Sequence, residues 1–241
     1  MKQEIASLAR QLRLRVAEDR EFFEDMAAPT AAAPTGDKKG GLNALKVIVS
    51  SCRKCPLGNS RLNAVFGVGS ENAETLFIGE GPGFQEDHDG EPFVGKSGQL
   101  LDKILAAIGL SRESVYIANI VKCHPMINPE NPEARGNDRP PSPEEIAACR
   151  PYLDQQIALI APRVIVTLGA VAARVLLGTT VGLTKIRGQW RDYHPALGRP
   201  VKVMPTYHPA ALLRNPNLKK EVWEDMKNLK KELSTPRDAA A

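Results

Sequence analysis

Glu80, Glu86, Asn119 and His208 are the side chains of this chain best suited to work on a polar substrate. A carboxylate can stabilise a developing cation or take a proton from water. An imidazole can donate to a leaving group as negative charge builds on it. A side-chain amide offers a donor and an acceptor side by side. Two of these residues belong to one stretch, Thr75 to Asp102, which starts as the apolar run Leu76-Phe77-Ile78. It then breaks into Gly79-Glu80-Gly81-Pro82-Gly83, passes the acids Glu86, Asp87 and Asp89, and reaches Phe93-Val94-Gly95-Lys96-Ser97-Gly98. Glycines let backbone approach a ligand closely. Ser97 is placed to cap the helix expected after it, and the amides of that turn suit a phosphate.

These residues need elements to hold them. Beyond about Leu42, strand-like and helix-like pieces alternate. Strands are expected at Thr75–Ile78, Val115–Ala118, Val164–Leu168 and Val201–Met204, and helices at Gln99–Ile108, Pro143–Ala161, Ala170–Leu177 and Lys219–Leu233. Ser142, Pro143 and Glu145 spell a helix start with a capping box. Such alternation predicts a three-layer α/β/α sandwich around a mainly parallel four-stranded sheet. Ligands of such sheets bind beyond the carboxyl ends of the strands. There the chain delivers Glu80-Gly81, Asn119, Gly169 and His208: a carboxylate, an amide, a glycine at a helix start and an imidazole.

The chain has 241 residues and a formal net charge of +4, which permits a polyanionic partner without demanding one. No run is long and apolar enough for a membrane span and no signal peptide opens the chain, so a cytoplasmic protein is expected. Residues 1–27 read as an amphipathic helix, with Ile5, Leu8, Leu12, Val16 and Phe23 near one face. Residues 28–45 read as a flexible Ala/Pro/Gly linker, 46–233 as the main domain and 234–241 as a disordered tail. The helix and linker offer a docking segment for a protein partner.

Four cysteines remain: Cys52, Cys55, Cys123 and Cys149. Disulfides do not suit a chain without an export signal. A redox Cys-x-x-Cys would leave two thiols unexplained. A four-thiolate metal site uses all four, and their spacing leaves structural zinc and an iron–sulfur cluster equally open.

The segments GEGPGFQED, GEPFVGKSG, YIANIVKC, TLGAVAA and YHPAALLRNP, with the cysteines between them, resemble the family 4 uracil-DNA glycosylases. The resemblance runs from about Cys52 to Leu233 and leaves residues 1–45 uncovered. It implies an α/β/α sandwich, a monomer in the cytoplasm at the nucleoid, and a [4Fe–4S] cluster on Cys52, Cys55, Cys123 and Cys149. It implies an enzyme that flips deoxyuridine out of single- or double-stranded DNA and hydrolyses its N-glycosidic bond. Two departures stand out. The segment between Cys123 and Cys149 is longer than expected and reads NPENPEARGNDRPPSPEE in part. A related group that traps uracil-DNA covalently carries Lys-Arg-Arg-Ile-His in this region, and that motif is absent here. A non-catalytic or trapping iron–sulfur DNA-binding protein is the competing expectation.

With that resemblance the residues acquire roles. Asn119 would match uracil through N3–H and O4, Phe93 would stack on the ring, and the Gly81 amide would face the base or the water. His208 would donate to O2. In classical uracil-DNA glycosylases an aspartate stands where this chain has Gly81, so its carboxylate needs a replacement. Glu86 is expected to serve, with Glu80 second, on the view that the loop's own amides hold Glu80. Lys96, Ser97, Gly169 and Arg214 would hold phosphates, and a side chain from Ala210 to Leu213 would wedge into the DNA.

Overall fold

The computed structural model of the protein describes residues 37–236. The segment over 1–27, the linker over 28–36 and residues 237–241 lie outside the described residues. The described chain opens with α1 (Lys38–Ser50), which buries Leu42, Leu45 and Val49. The flexible linker expected over 28–45 is therefore corrected from Lys38 onward. Three apolar residues at i, i+3 and i+7 give that stretch a helical face to bury.

In order there follow α2 (Leu57–Ser60), β1 (Val68–Gly69), β2 (Thr75–Gly79), α3 (Phe84–Asp89), α4 (Lys96–Ala107) and β3 (Tyr116–Asn119). Then come α5 (Pro143–Ile160), β4 (Val164–Leu168), α6 (Ala170–Leu177), α7 (Leu183–Ile186), β5 (Arg191–Tyr193) and β6 (Val201–Thr206). The described chain closes with α8 (Pro209–Arg214), a 3₁₀ turn (Pro216–Leu218) and α9 (Lys219–Ser234). The capping box at Ser142 forms as expected: the Glu145 amide donates to Ser142 Oγ at 3.3 Å and the Ser142 amide to Glu145 Oε2 at 2.7 Å.

The sheet has six strands in the order β1-β3-β2-β4-β6-β5, not four. The four expected strands form its parallel centre, and β1 and β5 add antiparallel edges. Those edges are two and three residues long, and β5 is mostly exposed. Pairing with a neighbour defines them, and burial leaves no periodic mark on so few residues.

Alternate residues of the central strands serve opposite layers. Leu76, Ile78, Ala118, Ile165 and Val203 pack with Leu45, Leu153, Ile157 and Leu176 of α1, α5 and α6. Phe77, Ile117, Val166 and Met204 pack with Leu101, Leu105, Leu212, Val222 and Met226 of α4, α8 and α9. Each fully buried aliphatic side chain contributes about 1.5–3 kcal/mol. The two-sided core fixes the register, which sets Gly79 opposite Asn119 and Leu168 opposite Thr206. The carboxyl ends of the four central strands thus finish level with one another. Among the described residues no helix is long and apolar enough to cross a membrane.

Candidate active site

A cleft of about 530 Å³ opens at those strand ends. Glu80, Gly81, Glu86, Phe93, Ser97, Asn119, Gly169, His208 and Arg214 all line it. Lys96 does not; it is exposed at the first position of α4. Gly95 takes the cap position of that helix, which places Ser97 inside the first turn and not at the cap.

Asn119 ends β3 and is buried, yet its Oδ1 accepts no hydrogen bond. Leaving such an acceptor unpaired costs about 1–3 kcal/mol, which a ligand donor can recover. The backbone around it is held: buried Lys122 donates from Nζ to the Asn119 carbonyl at 2.8 Å. Gly79 lies beside it, and a Cβ there would collide with Asn119 Oδ1 and the Phe93 ring. Only glycine lets amide and ring meet at this strand end.

Phe93 adopts a left-handed backbone with φ of 55°, a conformation costly for an aromatic residue. Arg112 holds it there, donating to the carbonyls of Pro92 (3.0 Å) and Phe93 while its Nε binds Asp102 at 2.7 Å. The ring stacks on His208 with centroids 5.3 Å apart. His208 leads into α8, and its Nδ1 accepts the Ala210 amide at 3.1 Å. An amide can only donate, so the ring proton sits on Nε2. Burial, with Arg214 adding to it, pushes the imidazole down to about 4. The ring is a neutral N–H donor at pH 7. Gly169 caps α6 with φ of 98°, and a Cβ would press on His208. That strand-to-helix turn is therefore restricted to glycine.

The two glutamates are not equivalent. The loop's amides hold Glu86 and not Glu80, the reverse of the expectation. Glu86 Oε2 accepts from Gly83 at 3.2 Å, and Oε1 accepts from Val94 at 3.1 Å and Gly95 at 3.2 Å. Glu86 closes the start of α3, a short helix that the loop reading did not foresee, and ties it to the Phe93 turn. Glu80 faces the cleft half-buried, and burial raises its carboxyl above the ordinary range.

The cleft also holds Asp138 and Arg139, from the long segment, and Tyr207 and Leu183. Tyr207 stands in the YHPAALLRNP segment; the other three carry no catalytic signal in local sequence. Gly90 to Ser97 also spell the Gly-x-x-x-x-Gly-Lys-Ser of a phosphate loop. That loop needs a strand before it, whereas here the residues join α3 to α4.

The four cysteines line one small cavity on the α1/α5 side. Arg61 Nη1 donates to Cys123 Sγ at 2.9 Å, the Lys122 amide to Cys149 Sγ at 3.3 Å, and the Tyr152 hydroxyl to Cys52 Sγ at 3.3 Å. Burial pushes the Cys149 thiol up to about 11, so ionising it needs added positive charge. Among the described residues no three His, Cys, Asp or Glu side chains close round a single ion. A zinc ion would draw thiolates to about 2.3 Å from one point. Four thiols round one cavity are a donor set that fits a four-thiolate group.

A family model described as the uracil DNA glycosylase superfamily matches residues 66–227. The chain is 43% identical over 185 residues to the type-4 uracil-DNA glycosylase of Archaeoglobus fulgidus, covering 75% of this chain and 87% of that one. It is 42% identical over 204 residues to that of Sulfurisphaera tokodaii (81% and 86% covered) and 45% over 185 to that of Thermotoga maritima (76% and 89%).

Proposed function

Because the chain belongs to the uracil-DNA glycosylase superfamily, we propose that it is a DNA-repair glycosylase that hydrolyses the N-glycosidic bond of deoxyuridine, releasing uracil and leaving an abasic site. The observation that carries this reading is the orphaned Oδ1 of Asn119 at the cleft floor. Uracil presents N3–H, a donor, beside O4, an acceptor. Asn119 takes the first on Oδ1 and gives its NH2 to the second. Cytosine has an acceptor at N3 and a donor at C4, so both contacts fail.

The C1′–N1 bond is out of reach in stacked duplex, so the nucleotide is flipped into the cleft. Phe93 stacks on the base, and the Gly81 amide lies along its edge. As C1′–N1 breaks, its electron pair moves into the uracil ring and charge gathers on O2. His208 donates to O2 from Nε2–H and keeps its proton. The sugar becomes cationic at C1′. Glu80 stabilises that cation and takes a proton from the water that adds to C1′. Lys96, Ser97, Gly169 and Arg214 hold flanking phosphates, through charge, hydroxyl and the amides at the start of α6. Leu213, exposed next to Arg214, is the apolar wedge.

Cys52, Cys55, Cys123 and Cys149 would hold a [4Fe–4S] cluster. It would supply a cross-link between the α1–α2 turn, the segment after β3 and α5. Arg61 and Lys122 offset its thiolate charge. The purified wild type should be brown and iron-loaded, and Cys149→Ser should lose the colour and most of the iron. Retention of full iron by that variant would remove Cys149 from the ligand set. The substrate is uracil in single- or double-stranded DNA, bound by a monomer working at the nucleoid. Of the segment 1–45, the part before α1, residues 1–37, offers a site for a protein partner.

Incubation with uracil-containing and control oligonucleotides, followed by alkali, tests the activity. Strand breakage at uracil alone is expected, and intact DNA would refute the reading. Glu80→Gln should lower the single-turnover rate about ten- to a hundredfold with DNA affinity unchanged. It should also remove an acid limb. Since burial raises Glu80, its working anion is lost as pH falls through a value above the ordinary carboxylate range. Glu86→Gln should act on the fold, lowering stability in urea by about 1–3 kcal/mol through its amide contacts. The opposite pattern, a normal rate for Glu80→Gln and a stable but slow Glu86→Gln, would return the role to Glu86.

A further inference from the structure

We infer that Asp138, delivered to the cleft by the long segment between Cys123 and Cys149, is a second carboxylate facing the sugar and stabilises the cation at C1′. The inference rests on the glycosylase reading of the cleft.

The segment is a closed loop with paired legs. Met126 bridges Asp138 in antiparallel fashion, the Ile127 amide donates to the Asn137 carbonyl at 2.8 Å, and the Arg139 amide to the Pro125 carbonyl at 3.1 Å. Asn137 pins the turn: its Oδ1 accepts the Asn128 amide at 2.7 Å, and its Nδ2 donates to the carbonyls of Asn128 (2.8 Å) and Asn131 (3.1 Å). The outer part leans on α3, with Glu133 on His88 at 3.1 Å and Arg135 over the Phe84 ring at 5.6 Å. A polar, proline-rich stretch is thus fixed by side-chain bonds to backbone, where an apolar core is lacking.

The loop's base presents two charged residues to the cleft, and they differ. Arg139 is spent on Glu145, at 2.7 and 2.8 Å, and on the Met126 carbonyl at 2.9 Å. Asp138 is anchored by His124 and by the Phe84 amide, and part of its carboxylate stays open. Its Oδ1 meets Nε2 of the buried His124 at 2.6 Å, while its side chain stays 60% exposed and lines the cleft. Behind His124 lies the buried Asp87, whose Oδ2 is 3.8 Å from Nδ1, an electrostatic neighbour beyond hydrogen-bond distance. Asp87 accepts the Leu62 and Asn63 amides at 3.1–3.2 Å. The buried His124 thus anchors one carboxylate at the edge of the cleft. The same Oδ1 lies beside Gly83, between Glu80 and Glu86 in sequence. Of the three cleft carboxylates, Glu86 is bound up by backbone amides. Glu80 and Asp138 remain for the sugar. Asp138 takes no proton: it acts by charge alone, while the water's proton goes to Glu80.

The test uses the full chain with its cluster and the Asp138→Asn variant, which keeps size and removes charge at an exposed position. Single-turnover uracil release should fall about ten- to a hundredfold, as for loss of one preorganised charge. Duplexes carrying a cationic pyrrolidine abasic analogue and a neutral tetrahydrofuran analogue separate charge from shape. Wild type should prefer the cation, and the variant should lose that preference by a similar factor while binding tetrahydrofuran as before. An unchanged rate and preference, or an equal loss on both analogues, would overturn the inference. A wild-type protein inert on uracil DNA would overturn the glycosylase reading itself, a different result from an active wild type with an unaffected variant.

Discussion

Asn119→Asp is expected to lower uracil release in single turnover by about a thousandfold or more, the range seen when a buried site loses a hydrogen bond that it was built to make. The variant keeps the shape of the side chain and its place at the end of β3. It loses the NH2 that donates to O4 and sets a negative charge against that oxygen. Burial makes the mismatch severe, because a base seated against Asn119 shields the charge from bulk water. The fold should be unaffected, since Asn119 holds the sheet by its backbone, through the carbonyl that Lys122 binds. The preference for uracil over cytosine should narrow as well, because a carboxylate accepts from the cytosine amino group. Both quantities come from one set of single-turnover measurements on matched oligonucleotides. A variant with the wild-type rate on uracil would mean that the base is read elsewhere in the cleft.

His208→Ala is expected to cost about a hundred- to a thousandfold in the same rate, as for removal of one donor to a developing oxyanion. Affinity for uracil DNA should change little, because the contact strengthens only as charge reaches O2. The imidazole is neutral in this site, so the donor is an ordinary N–H whose direction is set by the Ala210 amide on the opposite nitrogen. A group pushed down to about 4 does not titrate between about pH 6 and 8. The wild-type rate over that range should therefore show no histidine limb. A limb near the ordinary histidine value that disappears in His208→Ala would show that the imidazolium is the working form. Loss of binding and rate in equal measure would show that His208 serves only to support Phe93.

Much of this was legible in the sequence. Local pattern announced the central strands, because two-sided burial demands mostly apolar runs such as Val164–Leu168, where Thr167 alone is polar. The helix from Pro143 was announced by its cap, since Ser142 and Glu145 satisfy each other within one turn. The rule that ligands gather beyond parallel strand ends brought Glu80, Asn119, Gly169 and His208 together before any distance was known. What these residues share is that neighbours in the chain determine their placement.

The remainder depended on contacts that no local pattern encodes. The edge strands β1 and β5 exist because a neighbouring strand offers its hydrogen bonds. Glu80 and Glu86 are the same residue six positions apart, and sequence ranked them the wrong way for which one the loop holds. The amides of Gly83, Val94 and Gly95 converge on Glu86 only after α3 forms and the Phe93 turn folds back over it. Asp138 reaches the cleft because two legs of a polar loop pair and a buried histidine meets it. Residue type and spacing thus determined the chemistry available and the layer that carries it. The tertiary structure decided which of the available charges are consumed in holding the fold and which are left facing the substrate, since that depends on long-range packing and on where unpaired backbone amides come to rest.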